Sequence, residues 1–405
     1  MFMSILSEVF QINKGQAITA LGSGGLFGMS FLDGGSGTRA NAKSALGISA
    51  FYNGVDQITN DIAKLPKAVY FKNENSREII KDHPVNYLLN VEPNALMTAY
   101  DFWKVIGISA ILKGDGFAKI IRNEQSGIEE NYVFLEWQDV TVYKTGQKLF
   151  YRHKGEIIDA EDMLHFKGFS FDGLKGVGVV TFAAKQLGIM LDAQSYSSDI
   201  YKDRGLGYGV IETDKSVASI NKKAIEDGFV DKMTSKNKFK VPMLDEGMKY
   251  KSISITPAEA EFLETNKYGV LEVCRWLNIN PHKIKDFSAG NYANVYQQSI
   301  EHVQDSIIPW TTRIEQEVTR KTFQKGSDKY FRMNVNALLR GDLTSKKDYY
   351  TAMTYAGVYT RNEIRALEEM NPIDGLDEIL QPVNMQALSV AMELIKQNDD
   401  GNSSK

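Results

Sequence analysis

An α+β fold is the expectation from this sequence, and three of its features say so. Between Phe117 and Phe166 the chain runs through short stretches rich in aromatic and β-branched residues, separated by turn clusters, which is the texture of antiparallel strands. On both sides of that block apolar residues recur every three or four positions, the period of a helix with one buried face. Helix-start signatures, Thr256-Pro257 with Glu259 and Thr360 with Glu363, punctuate the second half.

Residues 1–44 begin with a short apolar stretch and continue through Gly22-Ser23-Gly24-Gly25 and Gly34-Gly35-Ser36-Gly37. Such a segment loses much chain entropy on ordering and buries little, so it reads as a mobile arm. From Ala45 the residues Leu46, Ile48, Val55, Ile58, Ile62 and Leu65 mark a helix that Pro66 stops. A second helix is expected over 98–113, ended by Gly114 and Gly116. The strand block follows as 117–122, 132–137, 140–143 and 149–153, read as one antiparallel meander. Helical spacing returns over 179–200, with Gly205 as its cap.

The helix expected over 216–235 is polar, with a thin stripe of Val217, Ile220, Ala224, Phe229 and Met233, and so needs neighbours for stability. Residues 241–254 read as a hairpin-like excursion, after which Thr256 opens a capped helix. From about Gln298 a stripe of Ile300, Val303, Ile307, Trp310, Ile314 and Val318 predicts a long helix, which Pro309 must kink or stop. Asn371-Pro372 ends the helix opened by Thr360, and residues 391–405 read as a disordered tail.

With 405 residues the chain has material for two or three packed units. The single cysteine, Cys274, excludes an intrachain disulfide and sits in an apolar helical run, as an inert buried thiol does. A net charge of −4 argues against tight, counterion-releasing attachment to nucleic acid. No apolar run is long enough to span a bilayer, so no membrane partner is expected, and the first residues lack the basic start of a secretory signal.

Catalytic and cofactor motifs fail on inspection. Phe27 stands where a dinucleotide-binding loop needs glycine, and no Lys-Ser or Lys-Thr follows a phosphate-loop frame. Gly168-Phe169-Ser170-Phe171-Asp172 lacks the closing glycine of a nucleophile elbow, so Ser170 reads as a turn residue. The histidines His83, His153, His165, His282 and His302 have no metal-ligand spacing. No enzyme activity, metal or cofactor is therefore expected. Two stretches remain as candidate sites. Lys215 to Lys251 carries nine lysines against five carboxylates, among them Lys232, Lys236, Lys238 and Lys240, which reads either as a solvated face or as a docking surface. The loop from Ser288 to Val295 offers Gly290, Asn291 and Asn294, tolerant of left-handed backbone and neutral in hydrogen bonding.

An ordered series then links these pieces: Thr256-Pro257-Ala258-Glu259, Glu272-Val273-Cys274-Arg275-Trp276-Leu277-Asn278-Ile279-Asn280-Pro281-His282, Asn291-Tyr292-Ala293-Asn294-Val295-Tyr296-Gln297-Gln298 and Ile307-Ile308-Pro309-Trp310. Leu338-Leu339-Arg340-Gly341-Asp342, Thr360-Arg361-Asn362-Glu363 and Asn371-Pro372-Ile373-Asp374-Gly375 continue it. The series resembles the portal proteins of tailed double-stranded-DNA bacteriophages of the lambdoid, siphovirus-like kind, from about residue 45 to 385. One departure is Lys285, where glycine is common before Asp286.

The resemblance implies a portal fold. Its parts would be an arm (1–44), a strand-containing wing (45–214), stem helices and clip (215–277, clip about 236–255), a channel loop with a kinked helix returning to the wing (278–342), an α-helical crown (343–390) and a tail. It implies a dodecameric ring at one capsid vertex of the virion, assembled in the host cytoplasm, through which double-stranded DNA is packaged and ejected. Ser288, Gly290, Asn291, Tyr292 and Asn294 would lie near DNA, and Pro309 would set the kink. Lys232, Lys236, Lys238 and Lys240 would meet partners at the clip. The implied partners are further copies of the chain, the terminase large subunit, the major capsid protein and the head–tail connector. Rival readings are another structural capsid or neck component, or a hydrolase whose site is not recognised.

Overall fold

The computed structural model describes residues 19–20, 39–74, 76–202, 209–213, 248–252, 258–287, 295–339, 343–368 and 370–379. The chain divides into two compact units, Met1–Val335 and Asn336–Lys405. In the first, β1 (Thr19–Ala20) precedes a single helical turn α1 (Ala42–Ala45), α2 (Ser49–Ala63), β2 (Lys67–Lys72), β3 (Arg77–Ile79), α3 (Pro84–Asn90) and α4 (Ala99–Lys113). Strands β4 (Asp115–Arg122), β5 (Glu129–Leu135), β6 (Val140–Thr145), β7 (Lys148–His153), β8 (Glu156–Asp159) and β9 (Met163–Lys167) follow. Then come α5 (Val179–Lys202), β10 (Gly209–Thr213), β11 (Met248–Ser252), α6 (Ala258–Leu277), α7 (Val295–Glu301), a π-helical segment (His302–Ile307), α8 (Ile308–Thr322) and β12 (Lys329–Met333). The second unit holds α9 (Leu343–Tyr355) and α10 (Arg361–Leu367).

Within the first unit antiparallel sheets and helices pack together, as the α+β reading expects. The helix foreseen from Ala45 is split: Asn41 caps one turn with a capping box, Gly47 makes the break, and α2 restarts at Ser49. Phe51, Val55, Ile58 and Ile62 then face inward, each contributing roughly 1.5–3 kcal/mol of burial. Helix α4 is capped by Thr98 and ended by Gly114 at φ +98, as its sequence requires. Trp103, at its centre, is fully buried, and its indole N–H donates to Leu89 O at 3.0 Å. The helices touch closely where Gly107 faces Thr59.

The strand block is not one meander. β6, β7 and β8 do form a meander, with β1 on the β6 edge. β4, however, pairs with β5 on one side and with the distant β9 on the other, giving the order β5-β4-β9. The two sheets close over a cluster of Phe117, Leu135, Val142, Tyr151, Ile158 and Met163. β4 is buried almost throughout, so its backbone needs partners on both edges, and β9 supplies the second. A third sheet, β12-β2-β3, joins strands about 260 residues apart, with Tyr70 stacked on Tyr330. Of the excursion expected over 241–254 only 248–252 is described, and there β11 pairs antiparallel with β10.

In the second unit Thr360 and Glu363 make the expected capping box. Asn362 exchanges two 2.9 Å hydrogen bonds with the backbone of Ile373, folding the Asn371-Pro372 turn back on α10.

Candidate functional site: the base of the 288–294 loop

Ser288, Gly290, Asn291, Tyr292 and Asn294 lie outside the described residues, as do Lys232, Lys236, Lys238 and Lys240 and the whole helix expected over 216–235. Both flanks of the 288–294 loop are described, together with Pro309, and they form a tied base.

The first flank is dictated residue by residue. Helix α6 ends at Leu277 and Asn278 takes the left-handed conformation at φ +52, which asparagine tolerates. Asn278 N–H then donates to Arg275 O and Ile279 N–H to Cys274 O, the paired bonds of a Schellman cap. Asn280 is extended, as a residue before proline must be, and Pro281 opens a 3-10 turn over Pro281–Ile284. Lys285 closes the turn at φ +66, where a side chain is strained and glycine would not be. The departure from the family pattern noted at this position thus falls on a left-handed residue. Ile279 and Ile284 point into the core, and burial pushes the Cys274 thiol up to about 11, an unreactive state.

The second flank is a helix in three parts. Proline lacks an N–H, so Pro309 cannot donate to Asp305 O four residues back. The Asn278 side chain donates to that carbonyl instead, at 2.8 Å. Just before the proline the helix widens to π geometry, with Ile308 N–H donating to Val303 O. Pro309 itself sits in the first turn of α8, where its missing N–H is harmless. The break expected at Pro309 is therefore a π segment ahead of it. Two more bonds complete the base: Ser306 Oγ donates to Asn278 O, and Asn280 Nδ2 to Gln298 O at 3.1 Å.

Buried polar residues fasten this base to the rest of the unit. His302 Nε2 meets Asp61 Oδ2 of α2 at 2.8 Å, and Lys64 and Gln57 also bond that carboxylate. Burial alone would raise the Asp61 pKa; the bonds from His302, Lys64 and Gln57 outweigh it and bring it to about 2. At the middle of α8, Glu315 accepts from Met333 N–H at 2.8 Å and pairs with Arg332, which tethers β12. Glu317 accepts from His165 N–H on the outer edge of β9. Sequence reasoning missed Asp61, Asn278, Glu315 and Glu317. The one available signal was an acid set inside an apolar helical stripe, as Asp61 is between Ile58 and Ile62.

The arrangement stitches the two flanks of residues 288–294 to each other and to the core. Among the described residues no three His, Cys, Asp or Glu side chains gather as a metal site, and no helix is long and apolar enough to cross a membrane.

The family model described as phage portal protein matches residues 49–369. The chain belongs to the phage portal protein family. It is 26% identical to the portal protein of Enterobacteria phage HK97 over 348 residues, covering 83% of this chain and 82% of that one. Its fold matches the crystal structure of an HK97-family phage portal protein from Corynebacterium diphtheriae, with a TM-score of 0.59, 15% identity, and 76% and 99% of the two chains covered. It also matches a chain in the neck of a native gene transfer agent particle computed with C12 symmetry, at a TM-score of 0.54 and 16% identity, covering 84% and 98%. The α+β architecture with a long kinked helix is thus that of a portal protein, and the family's general role in phage capsids and DNA packaging applies to it.

Proposed function

We propose that this portal protein assembles into a closed dodecameric ring at one capsid vertex of the virion, and that double-stranded DNA enters and leaves through its centre. The match to the portal family over residues 49–369 carries the reading. A gene-transfer-agent neck computed with C12 symmetry, one of whose chains shares this fold, supports the copy number. In this reading residues 45–214 form the wing, 215–277 the stem and clip, 278–342 the channel loop and its return, and 343–390 the crown. The tied base supports a loop, with Ser288, Gly290, Asn291, Tyr292 and Asn294, that moves against DNA while its ends stay fixed. Lys232, Lys236, Lys238 and Lys240 dock the terminase large subunit during packaging and the head–tail connector afterwards, and the major capsid protein surrounds the ring. Rings assemble in the host cytoplasm. The chain itself catalyses nothing; the motor hydrolyses ATP.

Mass photometry and negative-stain imaging of the purified protein, with a hydrolase and ATPase screen alongside, test this. The expected result is a particle of about twelve chain masses with a central hole and no turnover. A particle without a hole, or turnover by the chain alone, sinks the reading.

A further inference from the structure

The loop over 168–178 is tightly tied, and it presents two phenylalanines that are only partly covered. Gly168 N–H donates to Gly114 O at 2.7 Å, and Val177 N–H to Phe169 O at 2.7 Å. Asp172 Oδ1 accepts from the N–H groups of Leu174 and Lys175, and Gly176 N–H donates to buried Asp115 at 2.6 Å. At the foot of the loop no side chain fits: a Cβ on Gly176 would stand 1.9 Å from Gly114 O, and one on Gly178 2.2 Å from Leu112 O. Yet Phe169 and Phe171 remain 56% and 58% exposed, edge to face at 5.1 Å and both against Phe182. Ordering a segment this tightly in order to expose apolar rings is the signature of a preorganised contact.

Beside this loop, against α8, lies a cleft of about 490 Å³ lined by Lys167, Phe169, Arg313, Glu317 and Arg320. Its one carboxylate is already engaged, by His165 N–H and Arg320. Arg313 stacks on Trp310 at 5.1 Å, partial burial lowers its pKa, and among the described residues no acid pairs with it. The cleft therefore suits an apolar anchor that carries a carboxylate.

The same chain presents such an anchor. In the turn between α3 and α4, Asn94 Nδ2 donates to Tyr132 O at 2.7 Å, Tyr132 N–H donates to Pro93 O at 2.7 Å, and Asn94 Oδ1 accepts from Leu96 N–H. This pinned turn leaves Leu96 87% exposed, flanked by exposed Tyr87 and Val91 and by Glu92, one of whose carboxylate oxygens accepts from the Tyr87 hydroxyl at 3.0 Å. Tyr132 belongs to β5, whereas His165, which binds Glu317 at the cleft, belongs to β9. The order β5-β4-β9 puts knob and cleft at opposite edges of one sheet. Two unlike, complementary patches at opposite edges generate a head-to-tail contact, which closes into a ring when repeated by rotation.

We propose that the Leu96 turn of one copy seats in the cleft between Phe169 and Arg313 of the next, with Glu92 facing Arg313. This rests on the ring reading above and assigns it an interface. The test uses two full-length variants, Leu96→Asp and Phe169→Asp, followed by mass photometry, with circular dichroism melts to verify folding. Each variant alone is expected to lose roughly tenfold or more of its assembled fraction. Mixed in equal amounts they should form heterodimers that grow no further, since one copy keeps an intact cleft and the other an intact knob. If either aspartate variant fails to fold, Leu96→Ser and Phe169→Ser replace them with the same expected pairing. Rings from both variants, beside wild-type rings, overturn the interface and leave the ring reading standing, as does a mixture that fails to pair. Wild-type protein that stays monomeric overturns both.

Discussion

Two buried histidine–aspartate pairs, His165–Asp115 and His302–Asp61, share a separation of 2.8 Å and differ in what surrounds it. Around His165 both ring nitrogens have partners: Nε2 donates to Asp115 and Nδ1 accepts from the Tyr151 hydroxyl. Burial lowers the His165 pKa and keeps the ring neutral, consistent with that tautomer. Asp115 Oδ1 also receives Gly176 N–H, and His165 N–H reaches Glu317, so strand, loop and helix meet in one network. Of that network only Asp115 Oδ2 is buried without a partner among the described residues, whereas around His302 more is left open. Its Nδ1 and both nitrogens of His282 are buried without hydrogen-bond partners, and its backbone is π-helical. Unsatisfied groups of this kind each cost roughly 1–3 kcal/mol. The lesson is that the same pair serves as an anchor in the sheet and as a weaker latch at the base of the 288–294 loop.

The largest expected effect falls on the anchor. Asp115→Ala strands buried donors on His165 and Gly176 and should cost roughly 3–5 kcal/mol, against roughly 1–3 kcal/mol for His302→Ala. Urea denaturation measures both, and equal costs would erase the contrast between anchor and latch.

The latch should reveal itself in acid. The Asp61 carboxyl titrates at about 2, below its ordinary 3.8, so its contribution is fully present above pH 3.8 and is lost as pH falls toward 2. That contribution is about 2 kcal/mol. Asp61→Asn should flatten the fall in stability between pH 4 and 2, seen in urea midpoints across that range; an unchanged slope would show that the pair does not hold the carboxylate ionised.

A smaller effect tests the substitution of Asn278 for the missing proline donor. Asn278→Ala should cost about 1 kcal/mol in the native background and about half that in Pro309→Ala, where a restored N–H can reach Asp305 O. A double-mutant cycle with no coupling would separate the two residues. The smallest expected change is a gain: Lys285→Gly relieves a left-handed side chain and should raise stability by about 0.5 kcal/mol, read from the urea midpoint.

What the sequence determined by itself is local. Thr98 and Gly114 bound α4, Thr360 with Glu363 starts α10, and Pro309 marks the break, because each acts on backbone groups within a turn of itself. Family membership was legible for a related reason: the stretch from Asn278 to His282 is a chain of backbone requirements, each met by one residue type. Tertiary structure alone decided the rest. It chose β9 over β6 as the second neighbour of β4, and it brought β12 to β2 across about 260 residues. It also gave Asp61, Glu315 and Glu317 their distant partners, His302, Met333 N–H and His165 N–H, which no local spacing announces. Local signals cannot make these choices, because strand edges and buried carboxylates are satisfied by whichever donor the closing core carries to them. The identity of that donor exists only once the core has formed.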